Sequence, residues 1–184
     1  MQKTNRIFLF VNKINDSLKF ENIKHNKFSI IYRDYDNKNN LEKVLDLVKR
    51  KKIPLYCSSN NTFLKKTKID GIYIPSFKKN NILLYKNYEK IGSAHNALEI
   101  YRKQRQGCKI IFISPVFEDS KKRKSLGIIK FNLLIKNFKG SFCMLGGINI
   151  KNIKKIKLAN AHGIAGVRFA NNLEKFVNYF NLIY

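Results

Sequence analysis

Acidic side chains are scarce in this chain: 12 aspartates and glutamates stand against 37 lysines and arginines, a formal net charge of +25 over 184 residues. Tryptophan is absent, and cysteine, proline and histidine occur three times each. Each scarcity closes off a class of protein. Cys57, Cys108 and Cys143 lie far apart, with no CxxC pair and no nearby histidine cluster, so no structural zinc site is expected. They sit in apolar, strand-like contexts and read as buried thiols of a reducing compartment. No stretch approaches the ~20 apolar residues of a membrane-crossing helix. The apolar run at the N-terminus, Ile7 to Val11, is shorter than the ~7–15 residues of a signal-peptide core, so it reads as a strand and a cytoplasmic location is the default expectation. No stretch rich in Pro, Gly or Ser divides the chain, which predicts a single domain over residues 1–184.

The excess positive charge points first to nucleic acid. Its distribution argues against that partner. Lysine is spread along the whole chain among asparagine and isoleucine, a bias that AT-rich codon usage produces without selection for binding. The basic runs at 49–52 (KRKK) and 121–124 (KKRK) are short, and no aromatic-rich strand of the RNA-binding kind accompanies them. Solvated faces are the expected reading, with a basic nucleic-acid binder kept as an alternative.

What is present is an alternation. Apolar strand candidates recur at 7–11, 28–33, 54–57, 70–74, 90–93, 109–114, 141–145 and 163–167. Between them lie segments with helical spacing. Residues 41–49 carry Leu41, Val44, Leu45 and Val48 at i, i+3, i+4 and i+7; residues 96–105 carry a stripe of Ala97, Leu98 and Tyr101. Residues 149–158 open on Asn149 as an N-cap, and 171–180 line one face with Leu173, Phe176, Val177 and Phe180. Strands alternating with helices imply parallel pairing, and near-continuous apolar strands imply burial on both faces. Eight such units predict an α/β fold, a closed (β/α)8 TIM barrel, with an open doubly wound sheet as the alternative. The chain is short for a barrel. Only 16 residues separate Val11 from Phe28, so the first crossover must be short.

In that fold, catalytic groups stand at the C-terminal ends of the strands, and phosphate often binds after strands seven and eight. The seventh strand candidate ends in CMLGGINI (143–150). Gly146 and Gly147 lack Cβ atoms, so their N–H groups could approach an anion closely, with the next helix offering its positive end. A plain tight turn would use the same residues.

Other segments join the glycines. GSAH (92–95), SPVF (114–117), LG (126–127) and LGGI (145–148) occur in order at barrel spacing, with IFLFVNK (7–13), YRDYD (32–36) and DGIYIP (70–75) upstream. Taken together, they resemble the thiamine-phosphate synthase family, which includes related thiazole tautomerases. The resemblance implies a β/α barrel that joins an aminopyrimidine diphosphate to a thiazole phosphate and releases pyrophosphate. It assigns the diphosphate to Arg33, Ser93 and Lys122, and the thiazole phosphate to Gly146, Gly147 and the turn after strand eight. There Arg168 stands in place of the family's serine and suits a phosphate through its two-pronged guanidinium.

Several positions depart from the family. Its Asn-Asp pair after strand three, whose aspartate holds Mg²⁺, falls on Ser58 and Ser59, and a second metal aspartate falls near Lys78. Mg²⁺ is therefore a family expectation that Ser59 and Lys78 do not support. Tyr35 replaces a lysine, Asp119 replaces a diphosphate-contacting threonine, and Pro115 replaces the tautomerase histidine. Asp34 and Asp36 are candidates for a relocated metal ligand. His95 reads as a structural cap or packing residue or as a general base, His25 as a solvent-facing residue of the first crossover, and His162 as structural. Glu118 and Asp119 read as neutralising a loop of Lys121, Lys122, Arg123 and Lys124 that could close over an anionic substrate. The resemblance implies a transferase with small phosphorylated pyrimidine and thiazole partners and no membrane partner. A homo-oligomer is compatible with it. The alternative is a catalytically degenerate member that binds a phosphorylated precursor without turnover.

Overall fold

The computed structural model describes residues 6–12, 28–33, 41–58, 68–80, 86–119 and 123–167. Eight strands carry the fold: β1 (Arg6–Val11), β2 (Phe28–Tyr32), β3 (Leu55–Ser58), β4 (Gly71–Ile74), β5 (Glu89–Ala94), β6 (Ile110–Ile113), β7 (Ser141–Leu145) and β8 (Gly163–Gly166). Each pairs in parallel with the next, and β8 returns to β1 through Phe8↔Ala165, closing the barrel. All eight predicted strands are present, and the open sheet is excluded.

The closure follows from the pleat. Successive side chains on a strand point to opposite faces, so each strand supplies two sets of residues. Phe8, Phe10, Ile31, Tyr56, Tyr73, Ile91, Ile110, Phe112, Cys143 and Ala165 pack together as the barrel interior. Their neighbours Ile7, Leu9, Val11, Ile30, Ile72, Ile74 and Ile111 pack in the outer layer instead. The interior is an aromatic plug. Phe8 meets Phe112 edge-on at 4.9 Å between centroids, Phe10 meets Tyr73 at 5.2 Å, and Phe10 meets Phe112 at 5.6 Å. Such edge-to-face pairs add about 0.5–1.5 kcal/mol each beyond the area they bury. Small residues on β7 and β8 make room for the rings.

Helix α1 (Leu41–Lys51) buries Val44 and Val48, as its spacing predicted. Glu42 lies in its first turn and Lys49, Arg50 and Lys51 in its last, an arrangement that complements the helix dipole. Helix α2 (Ala97–Arg105) is capped by the Asn96 side chain, which accepts from the Glu99 N–H at 2.9 Å. Its face differs from the predicted one. Leu98 and Tyr101 are exposed, and the helix is anchored by Ile100 and Lys103. Helix α3 (Gly127–Lys136) has no counterpart among the predicted helices. It is apolar nearly all round, with Ile129 and Leu133 exposed and Phe131 and Ile135 buried, so no stripe marked it.

The helix expected over 149–158 is also corrected. Only a short 3₁₀ helix, Ile153–Leu158, forms there. The Asn149 side chain accepts from the N–H groups of Lys151 (2.9 Å) and Asn152 (3.2 Å), closing a local turn that competes with helix initiation. Cys57 and Cys143 lie buried on strands, whereas Cys108 is half-buried in the turn before β6. Burial pushes the thiols of Cys57 and Cys108 up to about 12. Among the described residues, no helix is long and apolar enough to cross a membrane. The first crossover and the expected helix at 171–180 lie outside the described residues.

Candidate active site at the barrel mouth

The residue after β2 is Arg33. Its N–H continues the sheet by donating to the Val11 carbonyl at 2.9 Å, which sets its place at the C-terminal end of the barrel. The guanidinium carbon stands 4.5 Å from the centroid of Phe10, and Nε donates to Asn12 Oδ1 at 3.2 Å. An arginine stacked on a ring keeps its charge and has little rotational freedom left to lose on binding an anion.

Hydroxyl groups surround the same ring system. Tyr73, in edge contact with Phe10, hydrogen-bonds Ser93 Oγ at 2.9 Å. Ser58 lies in register with Tyr73 on the neighbouring strand. Its hydroxyl is buried and has no hydrogen-bond partner among the described residues. Strand alternation turns it inward: Leu55 and Cys57 belong to the outer layer and Tyr56 to the interior. An unsatisfied buried hydroxyl costs about 1–3 kcal/mol. Ser58→Ala should therefore raise the stability of the unliganded protein by about 1 kcal/mol in chemical denaturation while weakening whatever the mouth binds.

The glycine pair closes the far side. Gly146 has φ 91° and Gly147 φ 69°, a region that other residues enter only under strain. Both pack against the loop after β6. A Cβ on Gly146 would fall 3.0 Å from Pro115, and one on Gly147 would fall 2.4 Å from the carbonyl oxygens of both Phe117 and Glu118. Their own carbonyls are engaged: Gly146 O accepts from the Phe117 N–H, and Gly147 O accepts from Asn149 Nδ2 (3.2 Å) and Asn152 Nδ2 (2.8 Å). These glycines are thus fixed by packing, whatever else they do. The helix end expected to assist them is absent, because the 3₁₀ helix begins only at Ile153.

His95 ties the rim together. The Ser114 carbonyl can only accept, so Nδ1 donates to it and carries the proton; Nε2 then accepts from the Ser76 hydroxyl at 3.2 Å. His95 therefore links the loops after β4, β5 and β6, and its N–H is held by Glu99 Oε2. It is a joint of the rim rather than a free base. Asp119 is paired with Arg123, whose Nε donates to Oδ2 at 2.9 Å, as the neutralising reading expected. Lys121 and Lys122, the site candidate Arg168, and Asp34, Tyr35, Asp36 and Ser59 lie outside the described residues, as does His25.

Two clefts lie away from the mouth. One, of about 280 Å³, opens at the N-terminal end of the barrel among Arg6, Glu89, Lys109, Ser141, Cys143 and His162. The other, of about 320 Å³, lies between α3 and the start of β7. In this fold the N-terminal end serves stability, and the chemistry belongs to the opposite face. His162 has a structural task there, since its Nδ1 accepts from the Phe142 N–H at 3.2 Å.

The thiamine monophosphate synthase family model matches residues 22–169. The chain belongs to the thiamine monophosphate synthase family. A thiamine-phosphate synthase of Prochlorococcus marinus is 39% identical over 67 residues, 35% of this chain and 19% of the relative's own length. Among solved structures, a thiamine phosphate pyrophosphorylase from Pyrococcus furiosus superposes with a TM-score of 0.76 at 13% identity, covering 98% of this chain and 97% of that one. A 4-hydroxy-2-oxoglutarate aldolase gives 0.68 at 12% identity, covering 99% and 95%. At such identities the structural matches establish the shared barrel alone.

The family's Mg²⁺ can be tested against the residues at the mouth. A divalent cation of this kind wants carboxylate oxygens in near-octahedral array. The described mouth offers a guanidinium, hydroxyls and an amide, with Asp119 on the loop after β6 tied to Arg123 and Glu118 beside it exposed, and the resemblance puts the family's second metal aspartate near Lys78. Among the described residues, no group of three or more His, Cys, Asp or Glu side chains could hold a metal. The described donor set does not fit Mg²⁺. Arg33 and Ser93, two of the candidates from the sequence, share this mouth with Tyr73 and Asn12, which were not among them, and with Ser58, which entered only as a departure from the family's metal motif. The available signal was Ser58 itself, a polar residue at an inward position of an apolar strand.

Proposed function

We propose that the barrel mouth joins hydroxymethylpyrimidine diphosphate to thiazole phosphate with release of pyrophosphate. The observation that carries this reading is Arg33, stacked on Phe10 and braced by Asn12, beside the hydroxyls of Ser58, Tyr73 and Ser93. As the bond from the pyrimidine methylene carbon to the diphosphate oxygen breaks, negative charge grows on the leaving group. A preorganised guanidinium and hydroxyl donors stabilise that charge without reorganising. The methylene cation left behind is captured by the thiazole ring nitrogen. By the family resemblance, Gly146, Gly147 and Arg168 are assigned to the thiazole phosphate and Lys122 to the diphosphate. These reactants are small molecules; a cytoplasmic setting belongs to the same reading.

A second reading, binding without turnover, is favoured by the departures at Ser58, Ser59 and Lys78. The test mixes purified protein with both substrates and Mg²⁺ and follows pyrophosphate. Release that depends on both substrates supports the synthase. Micromolar binding of thiazole phosphate with no pyrophosphate supports the second reading, and neither result would remove both.

A further inference from the structure

Lys103 is buried, only 1% exposed. A buried ammonium costs several kcal/mol unless its hydrogens are all accepted. Here they are. Nζ donates to the carbonyls of Pro75 (2.7 Å) and Lys78 (3.1 Å) and to Gln106 Oε1 (3.0 Å). Gln106 then uses its own amide hydrogens on the carbonyls of Lys78 (3.1 Å) and Asn80 (2.9 Å). Two side chains from the end of α2 thus hold three carbonyls of the loop after β4.

The route to those carbonyls is also built. The stem of Lys103 crosses the outer face of β5 at Gly92, where an added Cβ would lie 2.8 Å from Lys103 Cδ and 2.9 Å from Cys108 Sγ. The glycine of the GSAH segment is required by this crossing. The loop so held starts one residue after Ile74, and its Ser76 hydroxyl meets His95. It borders the Tyr73–Ser93 pair.

We propose that Lys103, together with Gln106, is a positioning residue for the barrel mouth: it pins Pro75–Asn80 and thereby fixes the rim next to Tyr73, Ser93 and His95. Its catalytic consequence rests on the synthase reading; the pinning itself does not. Burial lowers the Lys103 ammonium to about 8, with Cys108, Glu99 and Arg102 as the charged and titratable neighbours. The folded value lies below the ordinary 10.5, so between pH 8 and 10.5 the unfolded chain holds more protons and folding gains stability as pH rises. Lys103→Met removes that gain, so the stability difference between wild type and variant should grow across this window.

The direct test is amide hydrogen exchange on the full chain, comparing wild type, Lys103→Gln and Lys103→Met. Protection of the amides of 76–80 should fall at least ~10-fold in Lys103→Met and less in Lys103→Gln, which keeps donors, while 127–136 in α3 stays unchanged. If Lys103→Met does not fold, Lys103→Gln and Gln106→Met carry the same comparison. Unchanged protection of 76–80, or equal losses in both segments, overturns the pinning. In the pyrophosphate assay, kcat/KM should fall ~10–100-fold in Lys103→Met. A silent wild-type enzyme would remove the synthase reading and leave the exchange result to decide the pin; an active Lys103→Met with a loosened loop would remove the positioning role alone.

Discussion

Arg33→Ala should lower kcat for pyrophosphate release at least ~100-fold while leaving the melting temperature nearly unchanged. The magnitude follows from removing one preorganised donor to a developing oxyanion, which costs about 10²–10³ in rate. The small effect on folding follows from the side chain's place. Arg33 is half-exposed at the rim, and among the described residues its side chain meets a ring face and one amide oxygen. Loss of such a contact costs about 0.5–1 kcal/mol. Arg33→Lys separates charge from shape. It keeps the positive charge but loses the planar fork and the stacking on Phe10, so it should recover only a small part of the rate. An Arg33→Ala enzyme with near wild-type kcat would remove Arg33 from the leaving-group role.

Gly147→Ala should be the most damaging single-methyl change in the described chain. Its Cβ would stand 2.4 Å from two backbone carbonyl oxygens, and backbone cannot swing aside as a side-chain tip can. The positive φ of 69° adds ~1–2 kcal/mol of its own, and overpacking adds ~1–3 kcal/mol, so a loss of about 2–5 kcal/mol is expected. Gly127→Ala is the matched control. Gly127 has the same φ of 69°, but a Cβ there meets nothing within 4 Å, so only the conformational cost of ~1–2 kcal/mol remains. Equal losses at the two positions in urea denaturation would show that the contact with the loop after β6 carries no weight.

The barrel was legible because parallel strands buried on both faces read as unbroken apolar runs, as in Ile110–Ile113. The helices were less so, for local reasons. In α2, the apolar Leu98 and Tyr101 face out, while the buried side of the helix includes a lysine. A lysine among 37 basic residues carries no sign that it is buried; only the fold shows that Gly92 opens a path for it. In α3, Ile129 and Leu133 on the exposed side erase the stripe that marks a helix. At 149–158, a capping asparagine served a turn instead of a helix. The site divided similarly. Arg33, Ser93 and the glycines were proposed through the family's segments, Ser58 entered only as a departure from its metal motif, and Tyr73 looked like an ordinary strand residue until the closed barrel set it against Phe10.

The central claim is that the C-terminal mouth, and not the cleft at the other end, receives a phosphorylated thiazole. Amide NMR shifts during titration with thiazole phosphate test it most directly. The account predicts saturable shifts at Gly146 and Gly147, with Arg6, Lys109 and Ser141 unmoved. Shifts confined to those last three, or none at millimolar ligand, would contradict it.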